Sequence, residues 1–173
     1  MNAVQAARFA GAKYVIAVDP LANKREAAER LGATHSVGTG AEAGQLAREL
    51  TRGLGADKAI LTVDKMTAEV VREAFDATGK ASTIVLTAMS GFAEQTLVLP
   101  GVVATLYKKT IKGSLFGDCN PTTDIPRLLD LYRTGDLKLD ELITTRYTLE
   151  DVNTGYDDLL AGKNVRGLIV HQH

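Results

Sequence analysis

An aspartate follows directly after the apolar run Tyr14–Val18. In a nucleotide-binding βαβ unit, a carboxylate at the end of the second strand accepts hydrogen bonds from the hydroxyls of an adenosine ribose. Asp19 stands at that place, and its negative charge would favour NAD and repel the 2′-phosphate of NADP. The Asp19-Pro20 pair is also ordinary turn chemistry, so the spacing alone leaves both interpretations open.

A glycine-rich segment, residues 38–44 with the sequence GTGAEAG, is a second candidate for binding a phosphate. It follows a short predicted strand and precedes a predicted helix, and the N–H groups at a helix N-terminus bind anions. However, its spacing is one residue longer than the GxGxxG pattern, and Glu42 would place a negative charge beside the phosphates. We therefore predict a flexible connection here in preference to a dinucleotide site.

Four residues support an alternative hypothesis of a different class. Asp19 and Asp64 end successive predicted strands, Thr87 ends the next, and Lys109 precedes another. This order is similar to that of receiver domains, in which acidic side chains hold Mg²⁺ and a lysine contacts the phosphate. A receiver domain would carry paired acids after its first strand, whereas Pro20 follows Asp19 here. A receiver-like phosphoacceptor signalling domain is thus the alternative, with a non-catalytic gene remnant as a third hypothesis.

The sequence offers no set of catalytic residues or metal ligands. Cys119 is the single cysteine, and nothing is spaced to complete the three protein ligands that a catalytic zinc needs. His35 falls in a short predicted strand, where a core or edge histidine is more typical than a ligand. We therefore predict neither a catalytic group nor a metal site within these residues.

Composition excludes several classes of protein. The 173 residues are 45% hydrophobic and 24% charged, as in folded domains, which excludes disorder, collagen and coiled coil. A net charge of −1 predicts no nucleic-acid partner and no acidic membrane surface as a partner. We find neither a signal-peptide pattern nor an apolar run of about 18 residues. Because one cysteine cannot form a disulfide framework, we expect a reducing, cytoplasmic location.

The elements that must position these residues alternate along the chain. Runs that are apolar throughout, as in strands covered on both faces, predict four strands: Tyr14–Val18, Ala59–Val63, Thr83–Thr87 and Thr110–Phe116. Helices are predicted between them, the first capped by Asn23 with Glu26 and ended by Gly32, the next over 42–52 and the last over 67–78. Strands joined through helices form parallel sheets, so we predict an α/β fold with a doubly wound parallel sheet.

The last third of the chain has a different character. We predict a helix over Asp124–Arg133 with Pro126 in its first turn, a helix opened by Thr148 and Asp151, and a final strand over Arg166–His171. This pattern places a domain boundary between 1–116 and 117–173. At the other end, the helical run Asn2–Ala10 has no strand before it, although a parallel α/β fold normally enters its first helix from a strand. We therefore expect the chain to begin one element late.

Several separated motifs resemble one family, the zinc-dependent alcohol dehydrogenases of the medium-chain dehydrogenase/reductase family, nearest to its class III-like and nicotinoprotein members. The motifs are residues 2–12 (NAVQAARFAGA), 16–20 (IAVDP), 24–26 (KRE), 31–35 (LGATH), 111–117 (IKGSLFG) and 162–167 (GKNVRG). The resemblance implies a Rossmann-type NAD-binding domain over 1–116 that lacks its first strand and glycine-rich loop. It also implies that 117–173 is a C-terminal segment packing with a catalytic domain that is absent here.

The resemblance further implies roles for individual residues, with NAD as the cofactor. Asp19 would hold the adenosine ribose with Lys24 beside it, and Arg166 would reach the pyrophosphate. Backbone groups of Thr87, Ser114 and Phe116 would meet the nicotinamide carboxamide. Asp64 departs from the family pattern, which more often has a small residue there.

The family reaction is reversible hydride transfer between NAD and a small alcohol or aldehyde. In that reaction zinc polarises the substrate oxygen, and its ligands lie in the part of the family sequence that these residues do not match. We therefore expect that this chain alone does not catalyse the reaction. The resemblance also implies a homodimer or higher oligomer, formed through the strand at 111–116, and a marginal fold if the first strand is missing.

Overall fold

The computed structural model describes residues 1–89, 91, 93–94 and 96–171. Helices and strands alternate through the described chain. The helices are α1 (Asn2–Phe9), α2 (Ala22–Arg30), α3 (Gly40–Leu50), α4 (Ala68–Ala77), α5 (Gly101–Tyr107), α6 (Pro121–Arg133) and α7 (Val152–Leu160). The strands are β1 (Ile16–Val18), β2 (His35–Val37), β3 (Ala56–Leu61), β4 (Thr78–Leu86), β5 (Thr110–Gly113), β6 (Ile143–Tyr147) and β7 (Arg166–Ile169). Short 3₁₀ turns lie at Phe116–Asp118 and Asp140–Leu142.

The chain forms two compact units. The terminal unit combines Met1–Ser36 with Asn120–His173, and the central unit is Val37–Cys119. The two units are divided at Ser36–Val37 and at Cys119–Asn120. This division does not test the domain boundary predicted between residues 116 and 117, which stays a prediction. Among the described residues, no helix is both long enough and apolar enough to cross a membrane.

The central unit is built on a parallel three-stranded sheet in the order β3-β4-β5. Ile60 pairs with Val85, and Ile84 pairs with Ile111, in parallel register. The core beneath this sheet contains Ile84 and Phe75, whose exposed fractions are 0% and 1%. Leu61, Leu86 and Val103 are among the apolar residues that pack against it. Strands joined through helices and paired in parallel are what the apolar runs predicted.

The terminal unit contains the parallel pair β6-β7, in which Ile143 pairs with Arg166 and Tyr147 with Ile169. β1 pairs with β2, and the Val15 carbonyl accepts hydrogen bonds from the N–H groups of Thr34 at 2.8 Å and His35 at 3.2 Å. The predicted short strand at His35 is therefore confirmed. β6 and α5 were not predicted.

The strand limits differ from prediction where the backbone turns. The strand expected over Thr110–Phe116 ends at Gly113, because Phe116, Gly117 and Asp118 have φ values of 49°, 72° and 55°. A 2.6 Å ion pair between Lys112 and Asp118 spans this turn. Just after β5, the Ser114 N–H donates to the Leu86 carbonyl at 2.9 Å and so extends the β4-β5 pairing by one hydrogen bond.

The predicted starts of α2 and α6 were wrong, and the predicted cap of α4 is confirmed. α2 begins at Ala22 with no side-chain cap, so Asn23 lies inside its first turn and does not cap it. α6 begins at Pro121 after an Asn120 cap, which places Pro126 inside the helix and not in its first turn. Thr67 caps α4 as predicted, by accepting a hydrogen bond from the Val70 N–H.

Lys109 joins the end of α4 to β5 within the central unit. Its ammonium donates to the Phe75 carbonyl, to the Thr78 carbonyl at 2.6 Å and to the Thr78 hydroxyl at 3.1 Å. It also lies 4.3 Å from the centroid of the Phe75 ring. Burial lowers the pKa of Lys109 below its ordinary value, partly offset by the Asp76 carboxylate. This ammonium thus satisfies carbonyl groups at the helix C-terminus, where a positive charge is favourable.

Replacing Lys109 with methionine keeps most of the side-chain volume and removes these donors. We expect Lys109→Met to lower the free energy of unfolding by about 1–3 kcal/mol, because carbonyl groups at the α4 terminus lose a charged partner. Lys58→Met is the matched control, since Lys58 is an exposed lysine on β3. Urea denaturation of both variants measures the difference, and equal stabilities would contradict the assigned role.

Candidate functional site

Asp19 lies directly after β1, at the start of the turn into α2. Its Oδ1 accepts a hydrogen bond from the Leu21 N–H at 2.9 Å, and its carbonyl accepts one from the Arg25 guanidinium at 2.8 Å. The side chain is half-buried. Within the described part of the chain, Oδ2 accepts no hydrogen bond. The turn chemistry expected of Asp19-Pro20 is therefore present, and one carboxylate oxygen is left for a ligand hydroxyl.

Lys24 connects the first turn of α2 to the loop before β7. Its ammonium donates to the Asn164 carbonyl at 2.6 Å. The neighbouring Asn23 side chain donates to the Gly162 carbonyl at 2.9 Å. Lys24 is thus brought to the same part of the terminal unit as the segment that precedes Arg166.

Arg166 is the first residue of β7 and is exposed. Among the described residues, its guanidinium makes no hydrogen bond and no ion pair. The backbone is held by the pairing of Arg166 with Ile143, and the N–H of the preceding Val165 donates to the Thr144 hydroxyl at 3.0 Å. The Arg166 guanidinium is therefore exposed and, among the described residues, unpaired, and strand pairing holds the backbone that carries it.

Thr87, Ser114 and Phe116 lie in the central unit, beyond the carboxyl ends of the adjacent strands β4 and β5. The Thr87 N–H and hydroxyl both donate to the Leu61 carbonyl, at 3.2 and 2.8 Å. Since the N–H groups of Thr87 and Ser114 are engaged in the ladder, a ligand at this edge would meet their carbonyl oxygens. Phe116 is 85% exposed. The carboxyl edge of a parallel sheet is where ligands bind in folds of this type.

The glycine-rich segment 38–44 has no free phosphate cradle. Thr39 caps α3 by accepting a hydrogen bond from the Glu42 N–H at 3.2 Å. In return, the Glu42 carboxylate accepts from the N–H groups of Gly38 at 2.8 Å and Thr39 at 3.3 Å. The Glu42 carboxylate thus occupies the N–H groups that would otherwise be available to a phosphate. The flexible connection that we predicted is in fact an ordered capping box.

Two further sets of candidate residues serve other purposes. Lys109, which the receiver-like hypothesis assigned to a phosphate, is committed to carbonyl groups at the end of α4. Asp64 accepts a hydrogen bond from the N–H of its own neighbour Lys65 at 2.7 Å. Over the described residues, no group of three His, Cys, Asp or Glu side chains is placed to hold a metal ion. Cys119 is exposed.

A partly buried polar network next to Arg166 in sequence was not predicted. Asn164 is 1% exposed, and its Nδ2 donates to the Tyr147 hydroxyl at 3.1 Å. The Tyr147 hydroxyl donates to Asp158 Oδ2 at 2.9 Å, and the Lys163 ammonium donates to Asp158 Oδ1 at 2.8 Å. These two donors hold the pKa of Asp158 below its ordinary value. No spacing rule indicates such a network, because its members come from β6, α7 and the loop that follows α7.

The Tyr147 ring lies between two glycines. A Cβ on Gly155 would lie 3.4 Å from the ring, an ordinary contact at its limit. A Cβ on Gly167 would lie only 2.8 Å from Tyr147 Cε2 and 3.4 Å from Asn164 Nδ2. Because Tyr147 is buried and hydrogen-bonded, its ring has little freedom to move away.

We expect Gly167→Ala to lower the free energy of unfolding by about 1–3 kcal/mol, because the added methyl group overpacks the ring. Gly113→Ala is the matched control. Gly113 also lies in a short parallel strand, and a Cβ there meets nothing within 4 Å. Thermal denaturation of the two variants gives the comparison, and a Gly167 variant as stable as the control would refute the close fit.

Comparison with known proteins places the chain in a family. The model of the zinc-binding dehydrogenases matches residues 1–134. The NDMA-dependent alcohol dehydrogenase of Amycolatopsis methanolica is 53% identical over 171 residues, which cover 99% of this chain and 46% of that protein. The chain thus spans about half the length of the curated relatives it matches.

Solved structures agree with this assignment. An alcohol dehydrogenase zinc-binding domain protein from Burkholderia ambifaria has a TM-score of 0.89 and 30% identity, covering 99% of this chain and 45% of that one. A zinc-binding dehydrogenase from Sinorhizobium meliloti 1021 bound to NADP has a TM-score of 0.79 and 26% identity, covering 96% of this chain and 48% of that one.

These similarities confirm the predicted Rossmann-type α/β fold and exclude the receiver-like alternative, which was wrong. The chain belongs to the zinc-binding dehydrogenases, the medium-chain alcohol dehydrogenase family that its motifs resemble.

Proposed function

We propose that this chain is the coenzyme-binding portion of an NAD-dependent alcohol dehydrogenase, which exchanges a hydride between NAD and a small alcohol or aldehyde. The observation that carries the proposal is the half-buried carboxylate of Asp19 after β1, with one oxygen fixed by the Leu21 N–H and the other open. A carboxylate held in this way accepts hydrogen bonds from ribose hydroxyls.

The charge of Asp19 decides which coenzyme we expect. A ribose 2′-hydroxyl donates to a carboxylate, whereas a 2′-phosphate would be repelled by it. The Arg25 guanidinium donates to the main-chain carbonyls of Asp19 and Pro20 at 2.8 and 3.0 Å. Although a structural relative binds NADP, the arrangement at Asp19 favours NAD in this chain.

Two positive groups of the terminal unit suit the coenzyme, Arg166 at its pyrophosphate and Lys24 beside its adenosine ribose. Arg166 offers an exposed guanidinium, which binds phosphate oxygens through two parallel hydrogen bonds. Lys24 lies beside the ribose position and is held by the Asn164 carbonyl. In the central unit, the carbonyl groups of Thr87 and Ser114, with the backbone of Phe116, are the proposed partners of the nicotinamide carboxamide.

The reaction of the alcohol or aldehyde would require residues beyond those of this chain. Zinc in this family acts as a Lewis acid on the substrate oxygen. The described residues do not fit such an ion, since no three suitable side chains converge. This chain would therefore bind and orient the coenzyme.

The proposal extends to assembly and location. β5 is an outer strand of the β3-β4-β5 sheet, so a second copy could pair along it in a homodimer or higher oligomer. A cytoplasmic location fits the single cysteine, Cys119, because reducing compartments do not require a disulfide framework.

Calorimetric titration of the 173-residue chain with NAD and with NADP tests the proposal. We expect NAD to bind more tightly, and Asp19→Asn to weaken NAD binding about tenfold to a hundredfold, since a charged hydrogen-bond acceptor is lost. The preference over NADP should shrink in the same variant.

Asp57→Asn is the matched control, because Asp57 is an exposed acid on β3. Equal NAD affinity in the Asp19 variant and the unmodified chain would contradict the proposed site. Failure of the unmodified chain to bind NAD would contradict the proposed function and favour the gene-remnant hypothesis.

A further inference from the structure

The loop between α7 and β7, residues 161–165, is held from two sides. On the α2 side, Lys24 and Asn23 donate to the carbonyl groups of Asn164 and Gly162. On the β6 side, the Asn164 amide donates to the Tyr147 hydroxyl. The loop backbone is thus fixed immediately before Arg166.

The direction of each hydrogen bond in this network is determined by Asp158. A carboxylate only accepts hydrogen bonds, so the single hydroxyl proton of Tyr147 goes to Asp158 Oδ2. The Tyr147 oxygen then presents a lone pair to Asn164, which must offer its NH₂ group. Lys163 and Tyr147 keep the pKa of Asp158 low, and the acid therefore stays ionised at neutral pH.

The same network has an unmet requirement. Asn164 Oδ1 is buried and, among the described residues, has no hydrogen-bond partner. The Asn164 side chain is therefore oriented by a single hydrogen bond, from its Nδ2 to the Tyr147 hydroxyl, while Lys24 donates to the main-chain carbonyl of the same residue. Loss of the Tyr147 hydroxyl would leave both polar atoms of a buried amide without a partner, which favours movement of the loop.

We propose that Tyr147 and Asn164 are positioning residues of the coenzyme site, which fix the loop 161–165 so that the Arg166 guanidinium faces the pyrophosphate of the dinucleotide. Arg166 lies two residues after Asn164, and its own side chain has no partner among the described residues that could orient it. Its placement hence depends on the backbone that carries it, which the pairing with Ile143 and the Val165–Thr144 bond hold together with Asn164. This inference rests on the proposed function and adds two residues that do not themselves contact the coenzyme.

A double-mutant cycle measured by NAD calorimetry on the 173-residue chain tests the inference. Tyr147→Phe removes one hydroxyl and keeps the ring between its glycines. We expect it to weaken NAD binding about fivefold, the equivalent of one hydrogen bond. Arg166→Ala alone should weaken binding about tenfold or more. Adding Tyr147→Phe to Arg166→Ala should then change the affinity by less than about twofold, because the positioned group is gone.

Tyr156→Phe is the matched control, since Tyr156 lies on α7 and is 62% exposed. It should leave NAD affinity unchanged. Asn164→Ala removes the same hydrogen bond from its other end and should show the same dependence on Arg166. Circular dichroism of each variant establishes that the affinities compare folded chains, and Tyr147→Phe keeps the test decisive if Asn164→Ala unfolds.

Two results would overturn the inference while the proposed function stands. In the first, the unmodified chain binds NAD and the Tyr147→Phe variant binds it with equal affinity. The other is a Tyr147→Phe effect of the same factor with and without Arg166, which would indicate a general structural role. An unmodified chain that binds no NAD would instead refute the proposed function, and this inference would fall with it.

Discussion

The terminal unit depends on a bond between the Lys24 ammonium and the Asn164 carbonyl, two groups 140 residues apart in sequence. Two contacts of similar sequence separation support it. Asn23 donates to Gly162, and the Gln5 side chain exchanges hydrogen bonds with the backbone of Lys138 at 2.9 and 2.8 Å. Because these bonds close very long loops, the segment that carries Asp19 and the segment that carries Arg166 belong to one compact unit. This closure brings together the residues that we propose for the coenzyme from the two ends of the sequence.

The way each helix start satisfies its N–H groups separates candidate anion sites from structural turns. Thr39 and Thr67 cap α3 and α4 with their own side chains, and Glu42 fills the loop before α3. Such helix starts have no need of a phosphate. At the start of α2 no side chain caps the helix from Leu21, and the Asp19 carboxylate accepts a hydrogen bond from the Leu21 N–H. The residues that we propose for the coenzyme in the terminal unit lie around α2 and at Arg166.

Sequence patterns predicted the strands, caps and turns that are determined by residues close together in the chain. The parallel pairing of β3, β4 and β5, the cap at Thr67 and the place of Asp19 after a strand all follow from patterns a few residues long. The strand at 110–116 was predicted too long, because the turn after Gly113 is made by positive φ values that the apolar pattern hides. The network of Tyr147 and Asn164 could not be predicted, since it arises from contacts between elements and has no characteristic spacing.

Amide hydrogen exchange, measured with and without saturating NAD, tests the central claim most directly: that the coenzyme binds where α2 and the loop before β7 are joined. The account predicts slower exchange at residues 19–25 and 162–167, and unchanged exchange at 38–42, where Glu42 accepts from the N–H groups of Gly38 and Thr39 and Thr39 accepts from that of Glu42. Protection at 38–42 without protection at 19–25, or no protection at either segment, would contradict it.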